Sequence, residues 1–176
     1  GYTLTSGREN TFLGNRAGQG CTEGLKNTFV GVRAGDAIME VDGNTAIGVD
    51  ALTALLYGGG NQTCIGYNAG RYLTGSNSNI DTGSYNTFIG FDSGQGSAQQ
   101  RCTAIGFGSC RSTDGGGGGS YRVDVGMYSG TSNYGTWNIA IGYNANASGA
   151  GGENIHIGAN SSSGGGGNNT NNLILR

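Results

Sequence analysis

Asn10-Thr11-Phe12-Leu13-Gly14-Asn15-Arg16-Ala17-Gly18 returns almost unchanged as Asn27-Thr28-Phe29-Val30-Gly31-Val32-Arg33-Ala34-Gly35. The phrase starts again at Asn44, Gln62, Asn86, Cys102, Arg122, Asn138 and Asn154, nine copies in all. Successive starts lie 17, 17, 18, 24, 16, 20, 16 and 16 residues apart. A fixed period of this size signals a repeat architecture in which neighbouring units bury a shared core. Sixteen residues are too few for two helices, and the phrase has a Gly at its centre. A short strand, a Gly corner, a second extended piece and a return loop do fit. Each copy is then one coil of a parallel β-solenoid of about nine coils, roughly 43 Å of rod at about 4.8 Å per coil.

Each column of the phrase carries a physical expectation. The fourth position is always branched aliphatic: Leu13, Val30, Ile47, Ile65, Ile89, Ile105, Val125, Ile141 and Ile157. An apolar column without exception points to the core. The second position is Thr in six copies and shares its parity, so Thr is expected inward as well. The fifth position is always Gly, as a corner with positive φ demands. The eighth is always Ala or Ser, as a cramped interior demands. By parity and by their place after the corner, the third and sixth positions face out. They include Phe12, Phe29, Tyr67, Phe88, Phe91, Phe107 and Tyr143. An aromatic stripe of that length exceeds what a soluble monomer exposes, so these rings are expected at an interface between identical chains. Asn fills the first column in six copies. It reads equally as a hydrogen-bonded ladder between coils or as an ordinary turn residue.

Composition excludes several classes. Gly accounts for 39 of 176 residues and Pro for none, so a collagen helix is ruled out. Gly at that density also disfavours a helical domain. Nine basic against eleven acidic residues leave no cationic footprint for nucleic acid. No apolar run is long enough for a membrane helix. Fifteen aromatic residues at regular intervals argue against disorder. The chain is expected to be one repeat domain over 1–176 and a segment of a longer fibre protein.

The phrase Asn-Thr-x-Ile-Gly-x-x-Ala, as in Asn44 to Ala51, resembles the head repeats of YadA-like trimeric autotransporter adhesins. It is also similar to repeats in phage tail fibres and bacterial surface fibres. The resemblance runs from Asn10 to about Ser162. It implies a left-handed parallel β-roll, three chains side by side, and an adhesive role. The coils here are longer and more variable than that pattern.

Chemistry-bearing residues are sparse. The lone His156 sits in the third column with no acid at a fixed offset, and reads as an outward repeat residue. Hexapeptide acyltransferases need an aliphatic residue about every six positions; here the Ile-Gly pair comes once per coil. Ice binding needs outward Thr, and turning Thr11 or Thr45 outward would turn Ile47 outward too. The Asp residues lack calcium-repeat spacing, and the four Cys lack zinc spacing. No metal or cofactor is expected. Cys102 and Cys110 flank Gly106 symmetrically and form a candidate disulfide if the chain folds back there. The longest gap between copies carries Tyr72, Asn77, Asn79, Asp81 and Tyr85. Together with Trp137, the sole Trp, they are candidate ligand contacts for a surface glycan or protein receptor. The reading is therefore a homotrimeric, non-catalytic, extracellular or virion fibre segment. An ice-binding or surface-coating solenoid is the alternative.

Overall fold

In the computed structural model, ten three-residue strands lie side by side in one parallel sheet, in chain order. They are β1 (Thr11–Leu13), β2 (Thr28–Val30), β3 (Thr45–Ile47), β4 (Thr63–Ile65), β5 (Thr87–Ile89), β6 (Thr103–Ile105), β7 (Val123–Val125), β8 (Ile139–Ile141), β9 (Ile155–Ile157) and β10 (Leu173–Leu175). The structure describes residues 4–54, 60–73, 83–96, 100–111, 119–131, 135–145, 152–162 and 171–176. The fold is an all-β parallel β-solenoid. Each strand pairs with the next at the same column, as in Thr28↔Thr45 and Val30↔Ile47. The tenth rung is one more than the nine copies suggest. Its phrase, Asn172 to Arg176, places Arg176 in the corner column, where the nine copies have Gly, and Arg176 N–H donates to Ile157 O at 2.9 Å as a corner Gly does.

The invariant Gly is a corner, as expected. Gly31, Gly66, Gly90 and Gly106 have φ between 133° and 135°. Each N–H donates to the preceding coil's fourth-column carbonyl, as Gly31 to Leu13 at 2.8 Å. The eighth column is cramped, also as expected. Ala34, Ala51, Ala69, Ser93, Ser109 and Ser129 are fully buried. Its Ser hydroxyls bond across to the next coil: Ser109 Oγ donates to Asp124 O at 2.7 Å and Ser129 Oγ to Ala140 O at 2.6 Å.

The inward face is the opposite of the one expected from the aliphatic column. Leu13 is 66% exposed, and Ile47, Ile89, Ile105, Ile141 and Ile157 are 36–40% exposed. Val30, Ile65 and Val125 are half-buried. The second-column Thr residues share that outer face. The third column points into the coil: Phe29, Ala46, Cys64, Phe88, Ala104, Asp124, Ala140 and His156 are all buried. Phe12 packs partly buried against the same core, its ring stacked on Phe29 at 5.2 Å. Phe12, Phe29 and Phe88 are therefore core residues, and His156 faces inward as well.

Packing explains the inversion. The coil interior has room for about one large side chain, shared between the third and ninth positions. Where the third is Phe29, the ninth is Gly35, whose Cβ would lie 2.6 Å from that ring. Phe12 pairs with Gly18 in the same way. Where the third is Ala46, the ninth is the fully buried Leu52. All of these ninth residues are left-handed, Leu52 at φ 51° and Cys110 at φ 55° included.

The Asn column is a ladder. Asn27 N–H donates to Asn10 Oδ1 at 2.8 Å, Asn44 to Asn27 at 2.9 Å and Gln62 to Asn44 at 3.0 Å. Asn154 N–H donates to Asn138 Oδ1 at 3.0 Å and Asn172 to Asn154 at 3.1 Å. Buried amides that feed backbone donors coil by coil satisfy groups that no water reaches.

At the rim of the second turn, Arg33 clasps Asp50 with two bonds of 2.5 Å. This hydrogen bonding holds the Asp50 carboxyl below its usual value. A lowered carboxyl contributes stability above the unfolded Asp value near 3.9 and loses it as pH falls through the folded value. Arg33→Met is expected to flatten the acid limb of the melting-temperature profile below about pH 4, with little change in its slope between pH 7 and 9. Thermal melts across that range check it.

Candidate functional site

The residue just before each first-column position is left-handed in every coil. It is Glu9, Lys26, Gly43, Asn61, Tyr85, Arg101, Tyr121, Trp137, Glu153 and Asn171, with φ from 52° to 70°. A left-handed residue at a coil corner throws its side chain outward, and parallel register stacks these side chains along one edge. Asn and Gly tolerate that backbone readily, whereas bulky aromatics there are uncommon. Four successive coils nonetheless place Tyr85, Arg101, Tyr121 and Trp137 in this column.

Together they form a continuous exposed ladder. The Arg101 guanidinium lies 5.3 Å from the ring centres of both Tyr85 and Tyr121. Arg101 Nη1 donates to Tyr121 Oη at 3.2 Å. Tyr121 and Trp137 stack at 4.2 Å with planes 9° apart. Tyr85 is 51% and Trp137 58% exposed. The sequence candidates Tyr85 and Trp137 thus share one column although they stand 52 positions apart. Arg101 and Tyr121 complete it and were not anticipated. The missed signal was that all four immediately precede a phrase start.

The remaining candidates do not join this ladder. Tyr72 is exposed beneath its own neighbour, with the Arg71 guanidinium 4.6 Å from its ring centre. Leu73, beside it, is fully buried and anchors the start of the long connection in the core. Asn77, Asn79 and Asp81 lie outside the described residues.

Stacking limits what the ladder offers a ligand. The facing sides of Tyr121 and Trp137 cover each other, and Arg101 covers a face of each Tyr. What projects outward is a row of ring edges, hydroxyls, the indole N–H and guanidinium N–H groups. These are mostly hydrogen-bond donors. The rings at the ladder's two ends, Tyr85 and Trp137, are its most exposed aromatics. Arg101→Ala is expected to cost about 1 kcal/mol through two exposed cation–π contacts. It should also shift the near-ultraviolet circular dichroism of the Tyr121–Trp137 pair, in which Trp137 is the sole indole.

A second exposed ring column occupies the sixth position. Tyr67 and Phe91 stack at 5.0 Å, as do Phe91 and Phe107. These three rings and Tyr143 are 42–49% exposed, as the sequence reading expected of this column. They adjoin the outward Ile column across the Gly corner. Thr, Ile and ring columns therefore make one apolar band along the rod. No group of His, Cys, Asp and Glu suited to a metal ion occurs among the described residues. No helix in the described residues is long and apolar enough to cross a membrane. No known family model, curated protein or solved structure matches the chain.

Proposed function

We propose that this chain is a structural and adhesive segment of an extracellular or virion fibre, a left-handed roll that associates as a homotrimer and performs no catalysis. The observation that carries the reading is the outward aliphatic column, Leu13 to Ile157, with the ring column beside it. Core-type residues repeated on a solvated face indicate a surface that another protein covers. The band repeats once per coil, so the partner that matches it at every rung is another chain with the same rise. A closed ring of identical chains buries the band on every copy. The family resemblance favours three members. The Tyr85–Trp137 ladder lies on a coil edge and is the proposed contact for a host-surface glycan or protein. Bonding to its donor row and contact with the exposed Trp137 ring would supply the recognition.

The expected mass in light scattering is about three times that of the 17.7 kDa chain. Ile47→Asp with Ile89→Asp places charges only on the outer band. It is expected to yield a single-chain species that keeps its far-ultraviolet spectrum. Phe88→Asp places a charge in the coil and is expected to unfold it. A wild-type chain that stays a soluble monomer would sink the association.

A specific observation also favours the ice-binding alternative. The Thr residues at 11, 28, 45, 63, 87 and 103 do share the outer face with Ile, in strict parallel register. A flat Thr and Ile array is the surface such a solenoid presents. Val123, Ile139 and Ile155 then interrupt it. Thermal hysteresis in a monomeric preparation would select this reading over the fibre.

A further inference from the structure

The interior departs from its own pattern at two adjacent coils. The amide ladder reaches Asn86, whose Oδ1 accepts from Cys102 N–H at 2.9 Å. The next two first-column residues are Cys102 and Arg122 rather than Asn. The ladder resumes at Asn138. In this gap Cys102, Cys110, Arg122 and Asp124 are each no more than 2% exposed. Arg122 Nη2 lies 2.7 Å from Asp124 Oδ2 and donates to Gly130 O at 2.6 Å.

Cys102 and Cys110 occupy the first and ninth positions of one coil, and both columns face inward. Both are free thiols in this structure, and each sulfur acts on the other's ionisation. Cys102 Sγ also approaches Gln100 O at 3.2 Å and Gly119 O at 3.3 Å. Ala104, the third-column residue of this coil, leaves interior volume for both cysteine side chains. A disulfide needs Cα atoms about 4.4–6.8 Å apart, and both residues project from the wall of one narrow coil into a shared interior.

We propose that Cys102 and Cys110 are an oxidisable pair whose disulfide staples the coil where the amide ladder is interrupted. The oxidant is a low-molecular-weight disulfide. The Cys102 thiolate attacks one of its sulfurs, and that S–S bond breaks. One small thiolate leaves with the electron pair and takes up the proton Cys102 gave up. The Cys110 thiol then loses its proton and attacks Cys102 Sγ. The second small thiolate leaves and is protonated. Two cysteine thiols are oxidised to one disulfide, and the small disulfide is reduced to two thiols. In the closed coil Cys110 favours the Cys102 thiolate, and Arg122 adds to that preference. In the opened coil that preference is lost, and either cysteine serves as the attacking sulfur with the same balance of bonds and electrons. At 1% exposure neither sulfur meets the oxidant in the closed coil. The first exchange belongs to the opened coil or the folding chain, and the second follows when the coil closes.

Cys21 and Cys64 are also buried and serve as internal controls. The test refolds the full chain with oxidised glutathione in one arm and with excess reductant in the other. Thiols are counted in denaturant, linkages mapped by mass spectrometry, and melting temperatures compared. The expected result is loss of two of the four thiols, a single Cys102–Cys110 link, and a melting temperature several degrees higher in the oxidised arm. Cys110→Ser should abolish both the link and the oxidant-dependent shift. Four titratable thiols, a link through Cys21 or Cys64, or equal melting temperatures with the link present would each overturn the proposal. The wild-type comparison needs no variant, so a misfolded mutant does not blunt the test.

Discussion

Phe29→Ala is expected to destabilise the chain by about 3–5 kcal/mol, and adding Gly35→Leu to restore a large part of that loss. Phe29 is fully buried, so its removal leaves a ring-sized void in a coil with little else to collapse into it. Gly35→Leu by itself should also destabilise. Its Cβ would come within 2.6 Å of the Phe29 ring, and overpacking of this kind costs about 1–3 kcal/mol. Combined, the two changes recreate the Ala46–Leu52 pair of the next coil. Leu52 already sits there, fully buried, at φ 51°. The residual cost is then the left-handed strain of a non-Gly residue, about 1–2 kcal/mol. A double-mutant cycle by chemical denaturation measures the coupling, expected at 2 kcal/mol or more in the favourable direction. Strict additivity would mean that the third and ninth columns do not share one space.

That complementarity was legible in the sequence. Reading the third and ninth positions together gives Phe12 with Gly18, Phe29 with Gly35, Ala46 with Leu52, Phe88 with Gly94 and Ala104 with Cys110. Large faces Gly, and Ala faces something larger. Compensating volumes mark side chains that meet inside, whereas constant aliphatic character marks only that a column is covered by something. The Asn ladder carried the same message. First and third columns share parity, so an inward amide column requires an inward third column and an outward fourth. Solenoid architecture, parallel order, the Gly corner and the small eighth column followed from period and residue size alone. The inward face did not, because the rule that aliphatic residues are buried was applied to one chain rather than to its assembly.

The candidate site was legible only in part, for a different reason. Tyr85, Arg101, Tyr121 and Trp137 fall in register only when counted back from each phrase start. Counted forward, the intervening connections differ in length and scatter them. Trp137 and Tyr85 stood out as single residues, but Arg101 had no distinguishing feature except its column. The buried Arg122–Asp124 pair was hidden by the same parity error, which placed Asp124 outside. Once the parity is set by the Phe and Gly pairs, two opposite charges in the first and third columns of one coil can only meet in its interior. Each needs the other there, since an unpaired buried charge is costly.

Gly106→Ala is expected to cost about 3 kcal/mol or more. Gly106 has φ +135°, a region that L side chains rarely enter, and strain there is of order 1–3 kcal/mol by itself. The added Cβ would also stand 2.5 Å from Gly126 O and 2.7 Å from Gly126 C in the next coil. Those atoms are backbone, fixed by the Gly126 N–H bond to Ile105 O at 2.8 Å. Relief requires the coils to separate, which weakens hydrogen bonds on both sides of the corner. Gly108, two residues on, provides the contrast. Its φ is +59°, and the same column holds Asn68, Asn144 and Asn160 at 49–55° in other coils. A Cβ at Gly108 meets only the Tyr128 ring, at 2.9 Å, and that side chain is 36% exposed, with its ring edge-on to Phe107 and solvent beside it to move into. Gly108→Asn is therefore expected to change stability by less than about 1 kcal/mol, since Asn accepts left-handed backbone. Denaturant titrations of the two variants decide the point. If Gly106→Ala melts with the wild type, the fifth column is not held by its neighbours, and the close stacking of corner on corner is not what keeps the coils in register.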